Sequence, residues 1–246
     1  MEALRENMKI LEGRKVTKYF GGLAALNQVD FEITQGEVVG LIGPNGAGKT
    51  TLFNLISGTL PITAGEIRYK DKKISGLKPH QICWEGVSRT FQSTKLFPGM
   101  TVFENVITAS LFGSKKPISM SEAEKDTIEL LEFVELSSMA KALAKDLPIA
   151  QQKRLEVARA LATKPDLIMF DEVMAGLNPV EVSQAMELIV KIRNKGITIF
   201  MIEHVMKAIM GVCDRIIVLH HGSKIAEGKP EEIAISPNVI EVYLGE

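Results

Sequence analysis

The stretch GPNGAGKTT at 43–51 restricts this chain more than any other. It fits G-x-x-x-x-G-K-[ST] and stands between an apolar run, EVVGLIG, and a helix-like run, KTTLFNLISG. That context predicts a buried strand, a glycine-rich turn and a helix start, and it weighs against an ordinary glycine-rich turn. Gly43, Gly46 and Gly48 let the main chain form a concave nest of amides, with Pro44, Asn45 and Ala47 completing the loop. The helix behind it points its positive end at the nest, so the place suits a phosphate. Lys49 can then reach the β- and γ-phosphates, and Thr50, followed by Thr51, can offer its hydroxyl to Mg2+.

A second segment completes the chemistry. LIMFDE at 167–172 is an apolar run ending in two carboxylates. It predicts a buried strand whose end presents Asp171 to a metal's water shell and Glu172 to an attacking water. A lone Asp-Glu pair reads as a solvated turn; together with the phosphate loop it makes a nucleoside triphosphatase site. A guanine reader, Asn-Lys-x-Asp, is missing: the nearest text, NKGI at 194–197, lacks the aspartate. Adenine, and so ATP, is the expected base. RTFQ and FMIEH deliver Gln92 and His204 to the ends of predicted strands, at the carboxyl edge where open α/β sheets bind ligands.

Strand-like and helix-like text alternates along most of the chain, which predicts a layered α/β domain over 8–246. LNQVDFEI alternates apolar and polar positions, as a half-exposed strand of an antiparallel flank does; EVVGLIG and DLIMFDE read as buried parallel strands. The stretch 95–155 breaks the rhythm. TVFENVITASLF and SEAEKDTIELLEFVEL have helical spacing, with the loop FGSKKPIS between them, so an inserted helical subdomain is expected there. With 46% hydrophobic residues in 246, the chain can bury the core of one large domain or of a domain with a subdomain. Its 29 basic and 30 acidic side chains nearly cancel, leaving no bulk field to hold a nucleic acid. Cys83 and Cys213 form no CxxC pair and read as buried thiols. The opening MEALRENMKI lacks the apolar core of a signal peptide, and no run of ~18 apolar residues occurs, so a cytoplasmic chain that does not itself cross a membrane is expected.

In this order, KYFGG, residues 43–50, Gln92, residues 147–152, residues 167–172, AGLNP at 175–179 and His204 form a series. It resembles the aromatic loop, Walker A, Q-loop, signature, Walker B, D-loop and switch histidine of the ATP-binding subunits of ABC transporters, over essentially the whole chain. The resemblance implies a P-loop (RecA-like) core with an antiparallel β flank and an inserted helical subdomain. It implies that Phe20, or neighbouring Tyr19, stacks on adenine, that Gln92 links Mg2+ to the helical subdomain, that Glu172 activates water and that His204 contacts the γ-phosphate. Two such subunits would sandwich two ATP molecules at the cytoplasmic face of the membrane. Permease subunits, and indirectly a solute-binding protein, would be the other partners. The segment RTFQSTKLFPGMTVFENV and the ending from CDRIIVLHHG onward look more narrowly like importers of branched-chain amino acids. Importers of urea or other small polar solutes, and an ATP-binding regulatory subunit with little turnover, are the alternatives. Apolar residues of KLFPGMTVF are candidates for a permease contact or for core packing.

One motif departs from that family. Its signature usually reads Leu-Ser-x-Gly-Gln, whereas Leu147, Pro148, Ile149, Ala150 and Gln151 stand here. Pro148 has neither hydroxyl nor amide hydrogen, and Ala150 adds a Cβ. Val173, Asn178 and Val205 replace the usual proline after Walker B, the D-loop aspartate and the aspartate after the histidine. The pattern predicts a good donor of one half-site and a poor donor of the other. A homodimer would contain two poor composite sites, so a heterodimer with a second ABC ATPase subunit is the expected assembly.

Overall fold

The computed structural model describes residues 8–244; the charged start at 1–7 and the last two residues of the expected 8–246 domain lie outside the described residues. The chain opens with β1 (Lys9–Phe20), β2 (Leu23–Thr34) and β3 (Val38–Ile42), then α1 (Lys49–Ile56), β4 (Ala64–Tyr69), β5 (Lys72–Lys73), α2 (Pro79–Trp84) and β6 (Val87–Arg89). Three helices follow: α3 (Val102–Phe112), α4 (Met120–Phe133) and α5 (Ile149–Ala162). The remainder runs β7 (Leu167–Asp171), α6 (Pro179–Asn194), β8 (Thr198–Ile202), α7 (Met206–Val212), β9 (Arg215–His220), β10 (Ser223–Gly228), α8 (Pro230–Ala234) and α9 (Pro237–Leu244).

The strands make two sheets. An antiparallel sheet has the order β2-β1-β4-β5, and a six-stranded sheet the order β10-β9-β3-β8-β7-β6, parallel except for β10. In β2 Leu26, Val29, Phe31 and Ile33 are buried while Asp30 and Glu32 face solvent, which is the alternation that one covered face requires. Every residue of β3, β7 and β8 is buried, so these strands need apolar side chains on both faces. Leu167, Met169, Phe200 and Ile202 pack toward α1 and the antiparallel sheet; Ile168, Phe170, Ile199 and Met201 pack on the opposite side with residues of α5 and α6. The central sheet is thereby covered on both faces, and its carboxyl edge stays open for loops.

The region expected to be helical holds α3 and α4, and α5 begins inside it and continues to Ala162. Thr101 with Glu104, and Ser119 with Glu122, form capping boxes that satisfy the first amides of α3 and α4. Leu155, Ala158 and Leu161 bury one face of α5, against which α3 packs. Core packing takes three residues of KLFPGMTVF: Val102 is fully buried and Leu96 and Phe103 pack against the core. Phe97 is 42% exposed and lies 4.6 Å from the Arg159 guanidinium. Among the described residues, no helix is long and apolar enough to cross a membrane.

Candidate active site

The loop between β3 and α1 takes the backbone path that its glycines permit. Gly43 (φ 149°) and Gly48 (φ 104°) sit where a side chain is strained, and a Cβ would lie 2.1 Å from the Leu219 carbonyl oxygen at the first and 2.6 Å from that of Ala25 at the second. Residues 45–51 line an open pocket of about 230 Å³ together with Ala25, Gln92, Glu172 and His204. Lys49 is 7% exposed, and its ammonium donates to the carbonyl oxygens of Gly43 (2.5 Å) and Pro44 (2.9 Å). Burial holds this ammonium below the usual lysine range, while the nearby Glu172 and Asp171 carboxylates pull it back up. A phosphate arriving in the pocket supplies the counter-charge that these carbonyl dipoles provide only in part.

Glu172 is the hub of the opposite wall. Its Oε2 accepts from Gln92 Nε2 and its Oε1 meets His204 Nε2, both at 2.9 Å. Residues 80 and 32 positions away in sequence are thus brought onto one carboxylate, because β6, β7 and β8 are neighbours and end at the same edge. The main chain of Glu172 is left-handed (φ 52°), a conformation that costs a non-glycine residue of order 1–3 kcal/mol and concentrates at functional sites. Its amide donates to the Ile202 carbonyl (2.9 Å), and its carbonyl accepts from Lys153 Nζ (3.2 Å).

Asp171, 1% exposed, is occupied differently. Its Oδ2 accepts from Arg89 Nη2 at 2.7 Å, and Arg89 also donates to Asn54 and Ser57 of the α1 segment. The Oδ1 atom is buried without a hydrogen-bond partner. An orphaned carboxylate oxygen at the strand end fits a hard cation or a water bound to one. No cluster of three His, Cys, Asp or Glu side chains able to hold a metal occurs among the described residues, so phosphate and water oxygens must complete any such shell. Phe20 stays outside the pocket lining: it is 46% exposed, with the Lys18 ammonium 5.0 Å from its ring, and Tyr19 is similarly exposed.

A profile of the ABC transporter family matches residues 26–175, which span the phosphate loop, Gln92, residues 147–152 and the Asp171–Glu172 pair. The chain belongs to this family. A profile described as a branched-chain amino acid ATP-binding cassette transporter matches residues 223–246. Among curated proteins, the high-affinity branched-chain amino acid transport ATP-binding protein BraF of Pseudomonas aeruginosa is 42% identical over 250 residues, covering 96% of this chain and 98% of that protein. LivG of Escherichia coli, described in the same words, is 44% identical over 240 residues, covering 92% and 94%. Among solved structures, a nucleotide-free ATP-binding cassette superposes with a TM-score of 0.89 at 32% identity, covering 97% of this chain and all of that one. A cassette in its ADP conformation gives 0.87 at 34% identity, covering 98% and 100%.

The mixed α/β cassette with its antiparallel flank, expected from the sequence, is therefore the fold of an ABC ATPase, a family that hydrolyses ATP to drive transport. At the cassette's signature, Pro148 is the N-cap of α5 and provides no side-chain cap. Ala150 occupies an ordinary helical position in the first turn, where a Cβ causes no backbone strain. Leu147 is buried, while Ile149 is 52% exposed and approaches Gly176 of the D-loop. Asn178 serves as the N-cap of α6, accepting from the amides of Val180 (2.9 Å) and Glu181 (3.0 Å), a task that asparagine and aspartate do about equally well.

Three buried charges beside the site had no individual signal in the sequence: Arg89, Lys153 and Glu203. Only the neighbouring letters of RTFQ and FMIEH pointed to the first and last. Glu203, 2% exposed, accepts from the Met174 amide at 2.9 Å and from the His204 amide, with Glu172 and Lys153 as its charged neighbours. Burial pushes its carboxyl up from the usual 4.5 to about 7. The unfolded carboxyl loses its proton near 4.5 and the folded one near 7, so the folded state binds more protons between those values. Stability from this group is therefore highest at the acid end and falls as pH rises through 7, by about 3 kcal/mol in all. Glu203→Gln should remove that slope, gaining on the unmutated protein in urea unfolding between pH 5 and pH 8. Parallel stability profiles for the two proteins would contradict it.

Proposed function

We propose that this chain is the ATP-hydrolysing subunit of an importer for branched-chain amino acids, docked on permease subunits at the cytoplasmic membrane face and paired with a different ATPase subunit. The observation that carries the chemistry is the Glu172 carboxylate held between Gln92 and His204 at the mouth of the phosphate loop. The choice of solute is supported by the profile over residues 223–246 and by the printed functions of the relatives at 42% and 44% identity.

The residues fit ATP with Mg2+. Lys49 would leave the Gly43 and Pro44 carbonyls for the β- and γ-phosphates, while the amides of the loop and of the α1 start face the same anion. Thr50, Gln92 and the free Oδ1 of Asp171 would hold the cation and its waters, which would neutralise charge on the phosphates. Glu172 takes a proton from the attacking water, and His204, beside it, lies where it can donate to the γ-phosphate. An adenine stacked on Phe20 or Tyr19 would bury a ring now about half exposed.

A groove of about 270 Å³ between core and helical insert, lined by Cys83, Arg89, Phe91, Lys95, Glu156 and Arg159 among others, is the place for a short permease helix. Trp84 and the 74% exposed Phe112 present aromatic surface on the helices that border it.

The N-terminus of α5, capped by Pro148, would face the nucleotide on the second subunit with its helical amides but without a hydroxyl. One charge-assisted hydrogen bond to phosphate is worth ~1.5–3 kcal/mol, so the half-site donated by this chain is weakened and not abolished. In vesicles holding the whole transporter, uptake of leucine should depend on ATP, and the isolated chain should turn over slowly. Glu172→Gln should reduce uptake far more than the matching change in the second ATPase, and Pro148→Ser with Ala150→Gly should raise turnover at the second site. Equal losses from the two glutamate changes, with no gain from the restored signature, would rule out the asymmetry; leucine-independent ATPase activity without uptake would rule out the solute.

A further inference from the structure

Helix α5 carries more than the signature. Lys153, 6% exposed, points its ammonium at two main-chain oxygens on different strands' loops: Gln92 (3.0 Å) and Glu172 (3.2 Å). One turn further, Glu156, 4% exposed, accepts from the amides of Phe91 (3.1 Å) and Lys95 (3.3 Å) through a single oxygen. Three residues apart on a helix, the two side chains share a face. Together they hold the loop on both sides of Gln92, and Lys153 alone continues across to the left-handed Glu172. Neither touches the pocket lined by the phosphate loop.

We propose that Lys153 is a positioning residue for ATP hydrolysis, tying the main chain of Glu172 and of Gln92 to the signature helix. The consequence is directional. A shift of α5, whether from a nucleotide at its N-terminus or from a helix seated in the groove that Glu156 lines, moves the ammonium and so re-aims this chain's own catalytic carboxylate. Binding of ATP is spared, because Lys49 and the loop amides do not depend on Lys153. Glu156 supports the same loop through amides alone, so its contribution reaches Gln92 and not Glu172.

The inference rests on Glu172 being the water-activating base, and its test separates the two. In the assembled transporter, Lys153→Met should lower kcat about 10-fold or more, with KM and the Kd for ATP within about two-fold, because a small misplacement of a base costs rate and not affinity. Lys153→Gln, which keeps a neutral donor, should recover part of the loss. Glu172→Gln sets the floor, and adding Lys153→Met to it should slow the reaction no further, since both act through one carboxylate. Unmutated kcat in Lys153→Met, or a raised Kd at unchanged kcat, overturns the role of Lys153 while Glu172→Gln is inactive. Full turnover in Glu172→Gln overturns the role of Glu172 itself. If the methionine variant fails to assemble, Lys153→Gln decides alone: a slower kcat at unchanged Kd supports the tie, and an unmutated kcat removes it.

Discussion

Glu172→Gln is expected to bind ATP within about two-fold of the unmutated chain and to hydrolyse it ~10²–10⁴ times more slowly, the range typical of losing a general base. The substitution keeps the side chain's shape, and the main chain around it is held independently by Ile202 and Lys153. What changes is proton affinity: an amide cannot accept the proton of the attacking water. Gln92 Nε2 and His204 Nε2 would still find an oxygen or nitrogen within reach, so the wall of the pocket should stand. Single-turnover hydrolysis in the assembled transporter, with a fluorescent nucleotide to measure Kd, separates the two effects. A variant that turns over at the unmutated rate would place the base elsewhere.

Lys49→Ala should act on the other step. Removing the ammonium takes away the lysine charge that lines the pocket, and a charge-assisted contact to phosphate is worth about 3 kcal/mol at the upper end. Affinity for ATP should therefore fall by roughly 100-fold. The free protein also loses the ammonium that donates to the Gly43 and Pro44 carbonyls, the second of which keeps the Ala47 amide (3.2 Å), so the loop should become less well held before any nucleotide arrives. Burial already disfavours the charged lysine, which means the phosphate meets an ammonium poorly compensated by water and strongly available to it. Titration of nucleotide at equilibrium checks the prediction, and a Kd within about two-fold of the unmutated value would contradict it.

These two residues were legible without a structure because their signals are local. Gly43 to Thr51 is a continuous piece of chain whose left-handed glycines, lysine and hydroxyl each answer a requirement of the same phosphate. The apolar runs of β3, β7 and β8 announce burial on both faces, and β2 announces burial on one. Gln92 and His204 could be placed at strand ends by the same means. Folding then decided what the string leaves open. Arg89 and Asp171 are 82 residues apart and pair only because β6 and β7 lie side by side. Lys153 and Glu203 bind main-chain groups, and any residue has a carbonyl and an amide, so no letter could name their partners. Val102 proved to be core with Phe103 packed against it, whereas Phe97, in the loop before α3, lies against the Arg159 guanidinium, a division set by how that loop and the start of α3 pack. The amino-acid sequence by itself determined the phosphate loop, the buried strands and the order of the motifs, since these depend on periodicity and on backbone freedom over a few residues. Only the tertiary structure decided which buried charge holds which strand end, because that depends on contacts closed across the sheet edge by the packing of distant segments.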